Sequence, residues 1–341
     1  MSAKCLPPLF LAALCAAGLC GCARKQAAES GAKKIGLVFD VGGRGDKSFN
    51  DSAYNGMERA RKELGIEYSY IEPGEGADKE SALRQLASGR EGLIFGTGFL
   101  FTDDINTVSA DFPDKMFACV DYSINPANPI PPNVVALKFR EQEGSFLVGA
   151  LAGLTTKTDV VGFVGGMDIP LIHKFELGYT AGVKAVNPKC RVIIGYAGVT
   201  GEAFKNPAKG KAIALSQIDQ GADIIFHASG STGLGVFEAA RERSIKAIGV
   251  DSDQYSEAPG YILTSMIKKV DVGVYETVKA WLAGTLRGGM TELGLEKDGV
   301  GYVYDEHNKD LISPATIEKV EALKQKIIRG EIKVPSVKEN K

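Results

Sequence analysis

Asp40-Val41-Gly42-Gly43-Arg44-Gly45-Asp46-Lys47-Ser48-Phe49-Asn50 decides how the rest of this chain is read. The apolar run before it, Ile35-Gly36-Leu37-Val38-Phe39, has the length and residue types of a fully buried strand. After it a helical pattern begins, with Asn50 or Asp51 as a suitable N-cap. The stretch is therefore a loop at the carboxyl end of a strand, where open α/β sheets place their ligands. Its three glycines permit tight turns. Phe49 is the unexpected residue, because a large ring in a polar loop has to be covered, either by the core or by something bound.

Working outward, strand-like and helix-like runs alternate. Strands are predicted at 35–40, 68–72, 92–96, 116–121 and 134–139, then at 160–165, 191–197, 223–227, 247–251 and 262–267. Helices are predicted at 51–64, 79–88, 102–110, 141–154, 172–186, 208–220, 234–243, 272–282 and 314–329. Such βαβα alternation implies parallel sheets with right-handed crossovers. Ten strands strain the size of one twisted sheet, so two sheets of five or six are expected, one per half. Both halves end strands in polar residues (Asp40, Asp121 and Asp251), and two facing lobes with such ends form a cleft.

The chain has 341 residues, a length for two domains, and a formal net charge of −2, which argues against a nucleic-acid binder. Its first residues have the form of a targeting segment: Lys4, then an apolar stretch at 6–19 too short to span a membrane comfortably. Leu19-Cys20-Gly21-Cys22 resembles the bacterial lipobox, with Cys22 as the acylated residue; an ordinary secretory signal is the alternative. Residues 23–33 are small and polar, a flexible tether. Past the leader only Cys119 and Cys190 remain, each in an apolar run, and buried free thiols are expected. No zinc-ligand spacing occurs.

Several catalytic signatures are excluded. Gly42 to Ser48 has the outline of a phosphate-binding P-loop, but Asp46 stands where a glycine should precede Lys47, an anion in the phosphate's place. Gly230-Ser231-Thr232-Gly233-Leu234-Gly235 has its glycines in the wrong order for a dinucleotide fingerprint and reads as a turn opening a helix. No GxSxG elbow is present, and His227, inside an apolar run, reads as a core residue. What remains suits a small polar ligand. Phe204, in Gly201-Glu202-Ala203-Phe204-Lys205-Asn206-Pro207, is a second aromatic between elements. It and Phe49 can sandwich a flat heterocycle. Asp251 and Lys268 either grip a pair of sugar hydroxyls or form an ordinary ion pair.

Taken together, Asp40 through Asn50, Gly144-Ser145-Phe146-Leu147-Val148-Gly149, Phe175-Glu176-Leu177-Gly178, Asn206-Pro207-Ala208-Lys209-Gly210, Gly230-Ser231-Thr232-Gly233, Gly249-Val250-Asp251-Ser252-Asp253-Gln254-Tyr255 and Thr264-Ser265-Met266-Ile267-Lys268 resemble the basic membrane protein (BMP) lipoproteins. Among these the likeness is to the purine nucleoside receptor type, substrate-binding lipoproteins of ABC importers. The resemblance implies a type I periplasmic-binding-protein fold: two doubly wound parallel-sheet α/β lobes joined by a three-crossing hinge. It places the crossings near 121–138, 255–264 and 287–293. The expected N-terminal lobe is 34–137 with 263–288, the C-terminal lobe 138–262 with 289–335, and 336–341 is a polar tail.

By the same resemblance Phe49 and Phe204 clamp a purine. Asp40, Asn50 and Asp121 meet polar edges of the ligand, and Asp251, Lys268 and the Gly230 backbone hold the ribose. Phe175 matches a family aromatic that core packing explains equally well. The loop at 41–45 is more basic and glycine-rich than its acidic family version, which leaves the preferred base open. The implied partners are a purine nucleoside, an ABC permease and, through the lipid anchor, a membrane; no cofactor is implied. The competing readings are a receptor for a monosaccharide or sugar-like signal, a nucleosidase using Asp40 or Asp121 as base, and an adhesive surface lipoprotein.

Overall fold

The computed structural model describes residues 1–3, 33–73 and 78–337. Cys22 and most of the leader and tether lie outside them. The first sheet contains β1 (Lys34–Val38), β2 (Glu67–Ile71), β3 (Glu91–Thr97), β4 (Met116–Val120) and β5 (Val134–Phe139), joined late in the chain by β11 (Gly289–Leu293). Its order is β11-β5-β4-β3-β1-β2 and every pair is parallel. The second sheet contains β6 (Val160–Met167), β7 (Arg191–Gly198), β8 (Ile224–Ala228), β9 (Lys246–Asp251), β10 (Ile262–Lys268) and β12 (Val300–Tyr302), in the order β12-β10-β9-β8-β6-β7. This is the type I periplasmic-binding-protein architecture, with one departure from all-parallel pairing: β12 runs antiparallel to β10.

Helices α1 (Phe49–Leu64), α2 (Lys79–Ala87), α3 (Thr102–Asp111) and α8 (Val270–Leu282) belong to the first lobe. Helices α4 (Glu141–Thr155), α5 (Pro170–Val186), α6 (Pro207–Asp219), α7 (Gly233–Arg243) and α9 (Pro314–Ile328) belong to the second. Three of these start with proline at the first helical position, where its missing N–H costs nothing. Central strands such as β4 are buried over all but the first residue, which is why they read as unbroken apolar runs. Helices α4 and α5 approach almost backbone to backbone: a β-carbon on Gly149, Gly178 or Gly182 would overlap the facing helix's main chain. Cys119 and Cys190 are free and buried, as expected.

The chain crosses between lobes at Arg140, at Lys269 and along 294–299. These positions correct the sequence-based boundaries. Ile262–Lys268 completes the second sheet rather than the first, and Gly289–Leu293 the first rather than the second. The swap has a physical cause. β11 is an edge strand exposing Met290, and β12 is three residues long, so neither carries the apolar signature that marks a strand in sequence. The crossings are tied together by charge. Arg140 donates to Glu292 at 2.8 Å and lies 3.1 Å from Glu296 and 3.5 Å from Glu143, and Lys269 pairs with Asp298.

Candidate functional site

The loop after β1 is organised by Asp46. Its buried carboxylate accepts backbone N–H groups from Ser48 (2.9 Å), Asn50 (2.8 Å) and Asp51 (3.1 Å), three donors at the start of α1. Burial still pushes its pKa up, against those bonds. The expected caps, Asn50 and Asp51, are already inside the helix; Ser48 occupies the cap position and Asp46 supplies the oxygen. Phe49 is accordingly the first residue of α1 and not a loop residue. Asn50, freed from capping, accepts the Asp40 N–H at 2.9 Å.

Phe204 is delivered differently. It ends a short 3₁₀ turn, Gly201–Phe204, and its ring lies on Gly166, where a β-carbon would overlap it. Gly230, with φ of 56°, begins the next 3₁₀ turn, so close to the Phe204 carbonyl that a β-carbon would sit 2.9 Å away.

Asp121 and Asp251 are a matched pair. One follows β4 and the other ends β9, and both take left-handed backbone angles, φ of 61° and 67°. Such angles are unfavourable for a residue with a β-carbon, and they concentrate at functional sites. The Lys268 ammonium, at the end of β10, donates to Asp121 at 2.6 Å and lies 3.1 Å from Glu141. Glu141 is also 3.5 Å from Lys174. Burial works against the Lys268 charge, but Asp121, Glu141 and Asp251 together outweigh it and raise its pKa. Glu141, buried but facing Lys174 and Lys268, has its pKa lowered. Lys268 therefore pairs with Asp121 and Glu141, whereas Asp251 takes its hydrogen bond from the Ser48 hydroxyl.

All eight expected positions, Asp40, Phe49, Asn50, Asp121, Phe204, Gly230, Asp251 and Lys268, line one cleft of about 610 Å³ between the lobes. Phe175 lines it too and is buried in the core. Sequence reasoning missed Asp46, Phe99, Leu171 and Ile172 in the lining, and Glu141 behind it. Glu141 is indistinguishable in sequence from an acidic residue favoured in any first helical turn. Burial raises the pKa of both Asp40 and Asp251 to about 7. His227 is a core residue as expected, bonded to Gln254 at 3.0 Å and pushed down to about 4 by burial.

The lobes also touch directly. The Lys47 carbonyl of the first accepts from the Ser252 hydroxyl and the Gln254 amide of the second, each at 3.0 Å. Ser48 donates to Asp251 beside them, and Val41 and Leu100 close over Gly201. The cleft thus lies between touching lobes, with aromatic rings, carboxylates and one ammonium in its lining: a receptacle for a small ligand. No group of residues able to hold a metal ion occurs among the described residues.

Residues 33–338 match the family model for PnrA-like ABC transporter substrate-binding proteins, Bmp. The CD4+ T-cell-stimulating antigen of Listeria monocytogenes serovar 1/2a is 41% identical over 323 residues, covering 88% of this chain and 87% of that one. Basic membrane protein A of Borreliella afzelii is 35% identical, with 94% and 96% covered. Among solved structures, an ABC transporter system solute-binding protein from Aeropyrum pernix K1 superposes with a TM-score of 0.82 at 32% identity, over 90% of this chain and 94% of that one. The chain belongs to the Bmp family of ABC transporter substrate-binding proteins.

Proposed function

We propose that this protein is a lipid-anchored receptor that captures a purine nucleoside between its lobes and hands it to an ABC permease without chemical change. The observation that carries the reading is a single one: Phe49 and Phe204, from opposite lobes, face the same cleft. Stacking on such rings is worth roughly 1–3 kcal/mol per base, and a free sugar gains none of it. Asp40 and Asn50 lie toward the first-lobe side and suit the edge of a base. Asp251, Lys268 and the Gly230 turn suit the hydroxyls of a ribose, which would give the unpaired oxygen of Asp121 a donor as well.

Ligand spanning both lobes has contacts in the closed form that the open form lacks, so it shifts the population toward closure. Acylation of Cys22 would hold the receptor at the membrane, as the resemblance of 19–22 to a lipobox implies. The test is calorimetry with inosine, guanosine, adenosine and ribose, with chromatography of the inosine sample. Nucleosides should bind at least tenfold more tightly than ribose, and inosine should be recovered intact. Tighter binding of ribose would favour a sugar receptor, and release of free base would make the protein a nucleosidase. Cys22→Ser should move the protein from the membrane to the soluble fraction.

A further inference from the structure

The cleft is short of positive charge. Among the described residues Asp40, Asp46, Asp121 and Asp251 line it, against the single ammonium of Lys268. Three of the four carboxylates are already engaged. Asp46 is held by the amides that open α1, Asp121 by Lys268, and Asp251 by the Ser48 hydroxyl. The Lys268 charge is shared, since Glu141 lies 3.1 Å from it as well.

Asp40 stands apart. One oxygen accepts the Val41 N–H at 2.7 Å; the other lies against Gly98 and has no hydrogen-bond partner among the described residues. Gly98, with φ of 110°, is what admits it there, because a β-carbon would overlap the carboxylate. Lys79 favours its charge from outside the lining, too weakly to offset burial. Asp40 therefore lines the cleft as a carboxyl that burial holds partly protonated near neutral pH, because no cation in the lining stands beside it.

We propose that the cleft prefers purine nucleosides whose ring bears a positive charge, the N7-methylated class, over neutral rings of the same shape. This deepens the nucleoside reading and rests on it. A cation enclosed by aromatic faces is attracted by their quadrupoles, most strongly when water is excluded. A delocalised ring charge also gives Asp40 the counter-charge that the protein withholds, in a site where opposite charges interact far more strongly than in water. The same balance works against 5′-phosphorylated forms, which would bring further anions into a cleft already rich in them.

The test is titration calorimetry of the full chain at neutral pH with guanosine, N7-methylguanosine and its neutral 7-deaza-7-methyl isostere. The isostere has the methyl group without the charge, so the ratio of the two methylated ligands isolates charge from fit. N7-methylguanosine should bind at least tenfold more tightly than the isostere. Asp40→Asn should bring that ratio toward one, whatever it does to the absolute affinities. Equal binding of the two methylated ligands by the unaltered protein, with guanosine still bound, overturns the charge preference and leaves the nucleoside reading standing. If none of the three binds, both fall. The wild-type ratio decides the matter even should Asp40→Asn fail to fold.

Discussion

The two lobes present their aromatic plates by opposite means. Phe49 opens a 16-residue helix whose first turn is fixed by three hydrogen bonds to a buried carboxylate. Phe204 closes a four-residue 3₁₀ turn and is supported from beneath by a residue with no side chain. One plate is held by directed bonds and the other by shape. The contrast teaches that the first lobe resists displacement of its ring by local chemistry, whereas the second depends on a gap being kept empty. The carboxylates divide similarly: Asp121 accepts a hydrogen bond from an ammonium, while Asp251, in the same backbone conformation, accepts one from a hydroxyl.

Those contrasts can be broken in order of severity. Lys268→Met leaves Asp121 and Glu141 buried without their shared cation, and removing one partner of a buried ion pair costs about 3–5 kcal/mol; urea denaturation should show a loss of that size. Phe204→Ala and Asp251→Ala should each weaken nucleoside binding at least tenfold, about 1.4 kcal/mol, by calorimetry. Gly166→Ala tests the plate held by shape without touching the ligand. The new methyl group displaces Phe204, so affinity should fall by about tenfold while a crystal structure shows only that ring moved. Asp46→Ala tests the plate held by bonds: the loss of a helix cap costs about 1 kcal/mol, read as a lower melting temperature together with weaker binding.

The remaining test is in pH. Asp40 and Asp251 keep their protons up to about 7, against an ordinary 3.8, so between those values the folded chain binds protons that the unfolded chain has released. Stability of the empty protein therefore falls as pH rises through that window and levels off above it. Across a scan from pH 4 to pH 8 Tm should decline, and a rise instead would mean that neither carboxyl is held protonated.

How much of this was legible in the sequence follows from where the information lies. Strands such as β1, β4 and β9 are buried, uninterrupted and apolar, and each ends at a carboxylate or runs directly into one of the cleft's loops. The fold and the strand-end carboxylates could therefore be read from the residues, whereas the ligand roles of Asn50 and Gly230 came only with the resemblance to the BMP lipoproteins. The late crossings could not be read, because Gly289–Leu293 and Val300–Tyr302 are a sheet edge and a three-residue strand, with little to bury. The helix start at Phe49 was misplaced because Asp46, three residues earlier, does the capping from across the turn. Glu141 was invisible for a simpler reason: its meaning depends on Lys174 and Lys268, which are distant in sequence and close only after folding.

The bond between Asp121 and Lys268 joins the end of a first-lobe strand to the end of a second-lobe strand, one residue before the chain crosses at Lys269. Water entering the gap would hydrate both charges as they separate, and an exchange of that kind comes close to breaking even. That bond by itself would then give little preference between gaping and shut shapes. The cargo's own contribution is then enough to set which of the two shapes a permease meets.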